Sequence, residues 1–243
     1  MDLDGIEDRR TEWFVPSFGP LKLRILIGLL FLPYTGMVLA YGVIGSMMAD
    51  HIHWNRVWAI VVIYFLALGI GGHALDALGS KGLKPWGKVL SQRGLLILAI
   101  TSITGAYTIG IYYMVLYTPL LWLIAIPEGF FLLAYNLEWF NGRFHTDGWF
   151  ALSWGSLPVL AGYILQTNQV SFASLLVAAS MGLLSLVEIK ASRPYKKMKR
   201  ELHANGKTIE RDQIQGLEAI LKSISLGIIL LGVGFLIWRL TGS

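Results

Sequence analysis

Cysteine is absent from the 243 residues, and charged residues make up only 14% of them. Without cysteine the chain has no disulfide, no thiolate metal ligand and no thiol nucleophile. Soluble domains ordinarily carry about 25% charged residues. The apolar content of 55% therefore excludes an ordinary soluble enzyme and indicates a membrane protein.

Alternation of apolar and polar residues with period two is also missing, which excludes a membrane β-barrel. Continuous apolar runs recur instead, near the ~20 residues that an α-helix needs to cross a bilayer. We predict an all-α bundle of about seven membrane helices. The predicted spans lie at about 25–48, 54–75, 95–117, 120–137, 149–165, 172–189 and 220–240.

The N-terminal residues lack the basic stretch of a signal peptide, since they are mainly acidic before Glu12. Aromatic residues and prolines follow, including Trp13, Phe14 and Pro16. Aromatic rings with one polar edge favour the membrane interface. We therefore expect an interfacial arm at 1–24 and a single transmembrane domain at 25–243.

Lysine and arginine are scarce in the loops after the predicted first, third and fifth spans, and concentrate after the second, fourth and sixth. The positive-inside rule then predicts an integral membrane protein with a cytoplasmic N-terminus and the C-terminus on the opposite side. Such basic loops also account for the net charge of +5, so nucleic acid is not a predicted partner.

The predicted second span ends in a histidine and an aspartate three residues apart, His73 and Asp76, which share one helix face. Lys84 and Lys88 follow in a basic loop. Carboxylates hold Mg²⁺, Mg²⁺ bridges phosphate oxygens, and lysines neutralise the remaining charge. The alternative is a helix-end pair packed against its neighbours and followed by ordinary positive-inside lysines.

Glu128 follows Pro127 inside the predicted fourth span. A carboxyl group in a membrane must be protonated, paired or functional. The alternative is a neutral glutamate that bonds a helix carbonyl near the proline.

Two further polar groups lie on the predicted cytoplasmic side. One comprises Tyr135, Asn136 and Arg143, which either orient a substrate or belong to a hydrophilic loop with an aromatic belt. The other comprises Glu188 and a basic stretch that includes Lys197. It either contributes to a site or anchors the chain to anionic lipids.

Five stretches, in chain order, resemble the UbiA superfamily of intramembrane prenyltransferases. Gly72-His73-Ala74-Leu75-Asp76 is similar to the start of that family's first Asp-rich motif, Asn-Asp-x-x-Asp, and 84–91 to the end of its basic loop. The stretches 135–143 and 155–163 are similar to its Tyr-and-basic segment and to its Gly-x-x-Pro-x-x-Gly-Tyr helix. The stretch 188–208 occupies the place of the second Asp-rich motif. The chain departs from the family at Gly72 and His73, which replace Asn and Asp, and in having about seven spans where the family typically has nine.

The resemblance implies a divergent prenyltransferase acting on an isoprenoid diphosphate and a lipophilic acceptor. It implies that Asp76 and Glu188 hold Mg²⁺ and that His73 assists as ligand or base. The residues expected to bind substrate are Lys84, Lys88, Tyr135, Asn136, Arg143 and Lys197.

Two alternatives stay open. The chain could be a non-catalytic member of the family that binds a lipid, quinone or pigment, or that serves as a subunit of a membrane complex. It could also hold a transition metal on His73, Asp76, Glu128 and Glu188.

Overall fold

The structure is a computed structural model that describes residues 12–79, 90–205 and 211–242, without the side chains of 200–205. All regular structure within these ranges is helical. Seven helices are long and apolar enough to cross a membrane, which confirms the predicted all-α membrane bundle. Spans 1 to 7 are Leu21–Met47, Trp54–Gly79, Gln92–Leu116, Pro119–Asn136, Asp147–Thr167, Phe172–Lys199 and Arg211–Thr241.

The helix of span 6 differs most from its predicted bounds. It continues past 189 and ends at Asn205, and the helix of span 7 begins at Arg211 rather than near 220. Most of the expected polar loop is therefore helical. Lys, Arg, Met and Glu favour helices, and the extension buries Tyr195 against Leu221. This extension brings additional charged residues to the end of the bundle.

Span 1 contains a break at Phe31, which separates helix Leu21–Leu30 from helix Leu32–Met47. Phe31 adopts a left-handed conformation with φ of 46°, which is uncommon for a bulky residue. Pro33 begins the second helix and cannot continue the hydrogen bonding of the first. The break presents the Phe31 ring to the interior of the bundle, where its exposure is 5%.

Part of the N-terminal arm, beginning at Glu12 in the described residues, contacts the helix bundle. Phe14 and Val15 are buried in the main core, and the Phe14 ring lies 4.2 Å from that of Phe31. The backbone N–H of Trp13 donates to the Tyr195 hydroxyl at 3.3 Å. The arm thus braces span 1 against the extended helix of span 6.

Spans 1 and 5 cross at a close backbone contact made by glycines. A Cβ at Gly45 would collide with the carbonyl of Val159, and one at Gly162 with the carbonyl of Gly42. Small residues allow membrane helices to approach in this way. The crossing holds spans 1 and 5 together beneath the cavity described next.

Candidate functional site

A cavity of ≈ 360 Å³ lies at one end of the bundle. Residues from the start of spans 1 and 5 and from the ends of spans 2, 4 and 6 line it. We call it the polar cavity, because its wall combines two acids, two histidines and two cations with aromatic rings. Its volume is within the range of about 300–1,000 Å³ that is usual for small-molecule sites.

Five of the predicted site residues line the polar cavity: His73, Asp76, Tyr135, Asn136 and Glu188. These residues come from spans 2, 4 and 6, so the fold brings together residues that are distant in the sequence. Two other predicted residues, Arg143 and Lys197, are exposed and do not belong to the cavity wall. Lys84 and Lys88 lie outside the described residues.

His73 is held between two aromatic rings. Its imidazole stacks on Phe31 at 4.9 Å and lies 5.6 Å from the ring of Trp154. Thr35 Oγ1 lies 3.4 Å from His73 Nε2, within hydrogen-bond range. The ring orientation is therefore fixed by contacts from spans 1 and 5.

Two π-helical segments adjoin these contacts. Phe65–Gly72 immediately precedes His73, and Ala151–Ser156 carries Trp154. π-Helical turns are rare and occur frequently at functional sites. A π-helical turn contains more residues than an α-helical turn. The side chains that follow it therefore face a different direction from the one that α-helical spacing predicts.

Glu188 is the most buried acid of the cavity wall, with 2% exposure. Burial of an unpaired carboxylate costs several kcal/mol, and the opposite charge that acts on Glu188 is Lys196. The Lys196 ammonium lies 4.9 Å from the ring centroid of Phe31 and 5.7 Å from that of Tyr34. Glu188, Ser192 and Lys196 are spaced four residues apart, so the extended helix places all three on the cavity.

Arg193 is the second cation of the cavity wall, and sequence reasoning did not select it. Its guanidinium pairs with Asp147 at 3.0 Å and donates to the His145 carbonyl at 3.2 Å. The arginine and aspartate side chains are 40% and 31% exposed, so the pair contributes at most about 1 kcal/mol to stability. The pair connects span 6 to the start of span 5.

His145, which lies in the same predicted polar segment as Tyr135 and Arg143, also lines the cavity. Its ring stacks on Tyr135 at 4.3 Å, and its Nδ1 lies 3.0 Å from the Tyr135 carbonyl oxygen. Phe150 continues the aromatic wall, because its ring stacks on Trp154 at 5.6 Å. The aromatic content after Asn136 was a signal, although the sequence interpretation assigned those rings to a membrane belt.

Trp154 lines both the polar cavity and a second cavity of ≈ 60 Å³. This second cavity is mainly apolar and lies among spans 2, 3, 4 and 5. It contains Glu128, which Tyr64 contacts. We call it the inner cavity.

The predicted metal ligands lie in two different cavities. Asp76 and Glu188 share the polar cavity, whereas Glu128 lines the inner cavity, so the four proposed transition-metal ligands are not brought together. Within 12–79, 90–205 and 211–242, no group of three or more His, Asp or Glu residues could hold a metal ion. The donor set does not form a metal cage there. Mg²⁺ binding stays a prediction.

Comparison with known proteins gave no match to a family model, a curated protein or a solved structure. The structure and its cavities define the chain as an integral membrane helix bundle with a polar site at one end. The relationship to the UbiA superfamily stays a prediction from the sequence motifs.

Proposed function

We propose that this chain is a divergent UbiA-like membrane prenyltransferase, which binds an isoprenoid diphosphate and transfers its prenyl group to a lipophilic acceptor. The observation that supports the proposal most is the convergence of His73, Asp76 and Glu188 with two cations on one cavity. The cavity is at the end of membrane spans, so an amphiphilic substrate could place its charged head there and its chain toward the lipid.

The charges of the cavity suit a diphosphate head. Lys196 and Arg193 carry the positive charge that the sequence interpretation assigned to Lys197 and Arg143. Charge-assisted hydrogen bonds to phosphate oxygens are stronger than neutral ones. The two cations therefore take the diphosphate-binding role in the proposal.

The aromatic rings of the cavity wall suit the transfer of the prenyl group. The bond between the prenyl carbon and oxygen breaks, and the diphosphate leaves with the electron pair. The allylic carbon, now cationic, bonds to the acceptor, whose proton passes to a base. Ring faces of Phe31, Tyr34 and Trp154 favour a nearby cation, and His73 or Asp76 would accept the proton.

This proposal can be tested with the protein in lipid nanodiscs, farnesyl diphosphate, a lipid extract as acceptor, and Mg²⁺. The assay measures binding of farnesyl diphosphate and transfer of its prenyl group. We expect saturable binding and a prenylated product by mass spectrometry. Asp76→Ala should abolish both, with Asp212→Ala as the control, because Asp212 begins span 7 and does not line the cavity. Absence of binding at high diphosphate concentration would refute the proposal.

A non-catalytic lipid-binding protein or complex subunit is the second candidate. It is favoured by the replacement of the family's Asn and Asp by Gly72 and His73, and by about seven spans where the family typically has nine. This candidate predicts that a native lipid, quinone or pigment co-purifies, or that stable partner chains do, and that no prenylated product forms.

A further inference from the structure

Glu128 lies near the middle of span 4, which runs from Pro119 to Asn136. An acidic side chain at that depth is costly and is a candidate for function by default. The proposed transfer reaction does not use it, because it lines the inner cavity and not the polar cavity. Its surroundings therefore need a separate explanation.

Tyr64 is the partner of Glu128. The tyrosine hydroxyl donates to Glu128 Oε1 at 2.6 Å, and no other described side chain or backbone group is hydrogen-bonded to this carboxyl group. Two further hydroxyl groups of the cavity wall are directed elsewhere. Tyr107 donates to the Ala125 carbonyl at 3.1 Å, and Ser153 donates to a carbonyl within its own helix.

The cavity wall supplies no positive charge to Glu128. Among its described residues there is no Lys, Arg, His or Asp, and the titratable groups that face Glu128 are Tyr64 from span 2 and Tyr107 from span 3. Span 5 contributes Ser153 and Trp154, which do not titrate. Without a cation, the carboxyl group can be neutralised only by a proton or by a small ligand.

The inner cavity has room for water. A water molecule needs about 10–15 Å³ of such space. The inner cavity measures ≈ 60 Å³, so it can hold a few waters. Water with two to four polar partners is stable in such a site.

We infer that Glu128, Tyr64 and water in the inner cavity form a proton-binding site within the membrane. Tyr64 supplies a hydrogen bond to the unprotonated carboxyl group, and water supplies the route by which the proton enters. Trp154 lines both this site and the polar cavity, so the route of proton exchange in this inference passes beside it. The inference does not depend on the proposed prenyl transfer.

Labelling with dicyclohexylcarbodiimide tests the site, because this apolar reagent reacts with protonated carboxyl groups. The carboxyl proton moves to a carbodiimide nitrogen while the carboxyl oxygen bonds to the central carbon, and no group leaves. We expect one adduct by intact mass, mapped to span 4 and lost in Glu128→Gln. Labelling should fall about tenfold per pH unit on the alkaline side of its midpoint.

Two matched tyrosine variants separate this role from simple packing. Tyr64→Phe removes the hydrogen bond to Glu128 and should shift the pH midpoint of labelling. Tyr107→Phe removes a hydroxyl from the same cavity wall that bonds Ala125 instead, and should leave the midpoint unchanged. Size-exclusion profiles and thermal unfolding verify that each variant is folded.

Three outcomes would overturn the inference. One is the absence of a Glu128 adduct at acidic pH in folded protein. Another is labelling of Glu128 that does not change with pH. The third is equally fast labelling of Glu128 by a water-soluble carbodiimide, which would mean that the carboxyl group is open to bulk water and not enclosed in the membrane.

Discussion

Substitution of two adjacent lysines provides the sharpest test of the proposal that the polar cavity binds a diphosphate. Lys196 lines the cavity, whereas Lys197 is the next residue along the same helix and is exposed. Each variant, Lys196→Gln and Lys197→Gln, removes one positive charge from the same end of the bundle. Changes in net charge and in general attraction for a diphosphate are therefore matched between them.

The expected loss of affinity follows from the contacts of Lys196. A hydrogen bond to a charged group contributes about 1.5–3 kcal/mol. Part of this is offset, because Lys196 must leave the ring of Phe31, 4.9 Å away, and such a contact contributes about 0.5–1 kcal/mol at exposed sites. The net loss is about 1–2 kcal/mol, or about 5–30-fold in Kd.

The assay is equilibrium binding of radiolabelled farnesyl diphosphate to protein in nanodiscs of neutral lipid, at fixed ionic strength. We expect the Kd of Lys196→Gln to rise about 5–30-fold and that of Lys197→Gln to change less than about twofold, as for screened surface charges. Equal losses in the two variants, or a larger loss in Lys197→Gln, would refute the assignment of Lys196 to the head group.

Two further predictions concern Trp154 and the crossing of spans 1 and 5. Trp154→Ala should join the two cavities, because Trp154 lines both. Affinity for geranylgeranyl diphosphate should then rise relative to affinity for farnesyl diphosphate. An unchanged ratio of the two affinities in competition binding would contradict this prediction. Gly45→Val should lower thermal stability by about 1–3 kcal/mol or more from overpacking, because its Cβ meets the Val159 carbonyl. Gly227→Val is the control, since a Cβ at Gly227 meets no atom within 4 Å. Equal unfolding temperatures in the two variants would contradict the close crossing of spans 1 and 5.

The spans and half of the candidate site follow from sequence patterns. Apolar runs predict the seven helices because bilayer thickness sets their length. Alternation of the spans then places the ends of spans 2, 4 and 6 together. That is why His73, Asp76 and Glu188 could be grouped before their positions were known.

The missed residues have identifiable physical causes. Lys197 was chosen from the basic stretch after Glu188 as a substrate-binding residue because that stretch was interpreted as a loop. Helical spacing from Glu188 selects Lys196 instead. Trp154 was missed because the π-helical segment Ala151–Ser156 changes which side chains face inward. Phe31 owes its place to a left-handed backbone conformation, which no apolar pattern specifies.

The structure of the protein in lipid nanodiscs with a non-hydrolysable farnesyl diphosphate analogue would show directly whether the polar cavity binds the diphosphate head, as we propose. We predict density for the phosphorus atoms beside Lys196 and Arg193, with the prenyl chain against Phe31 and Trp154. Density at the opposite end, beside Arg239, or an empty polar cavity at saturating analogue would contradict the account.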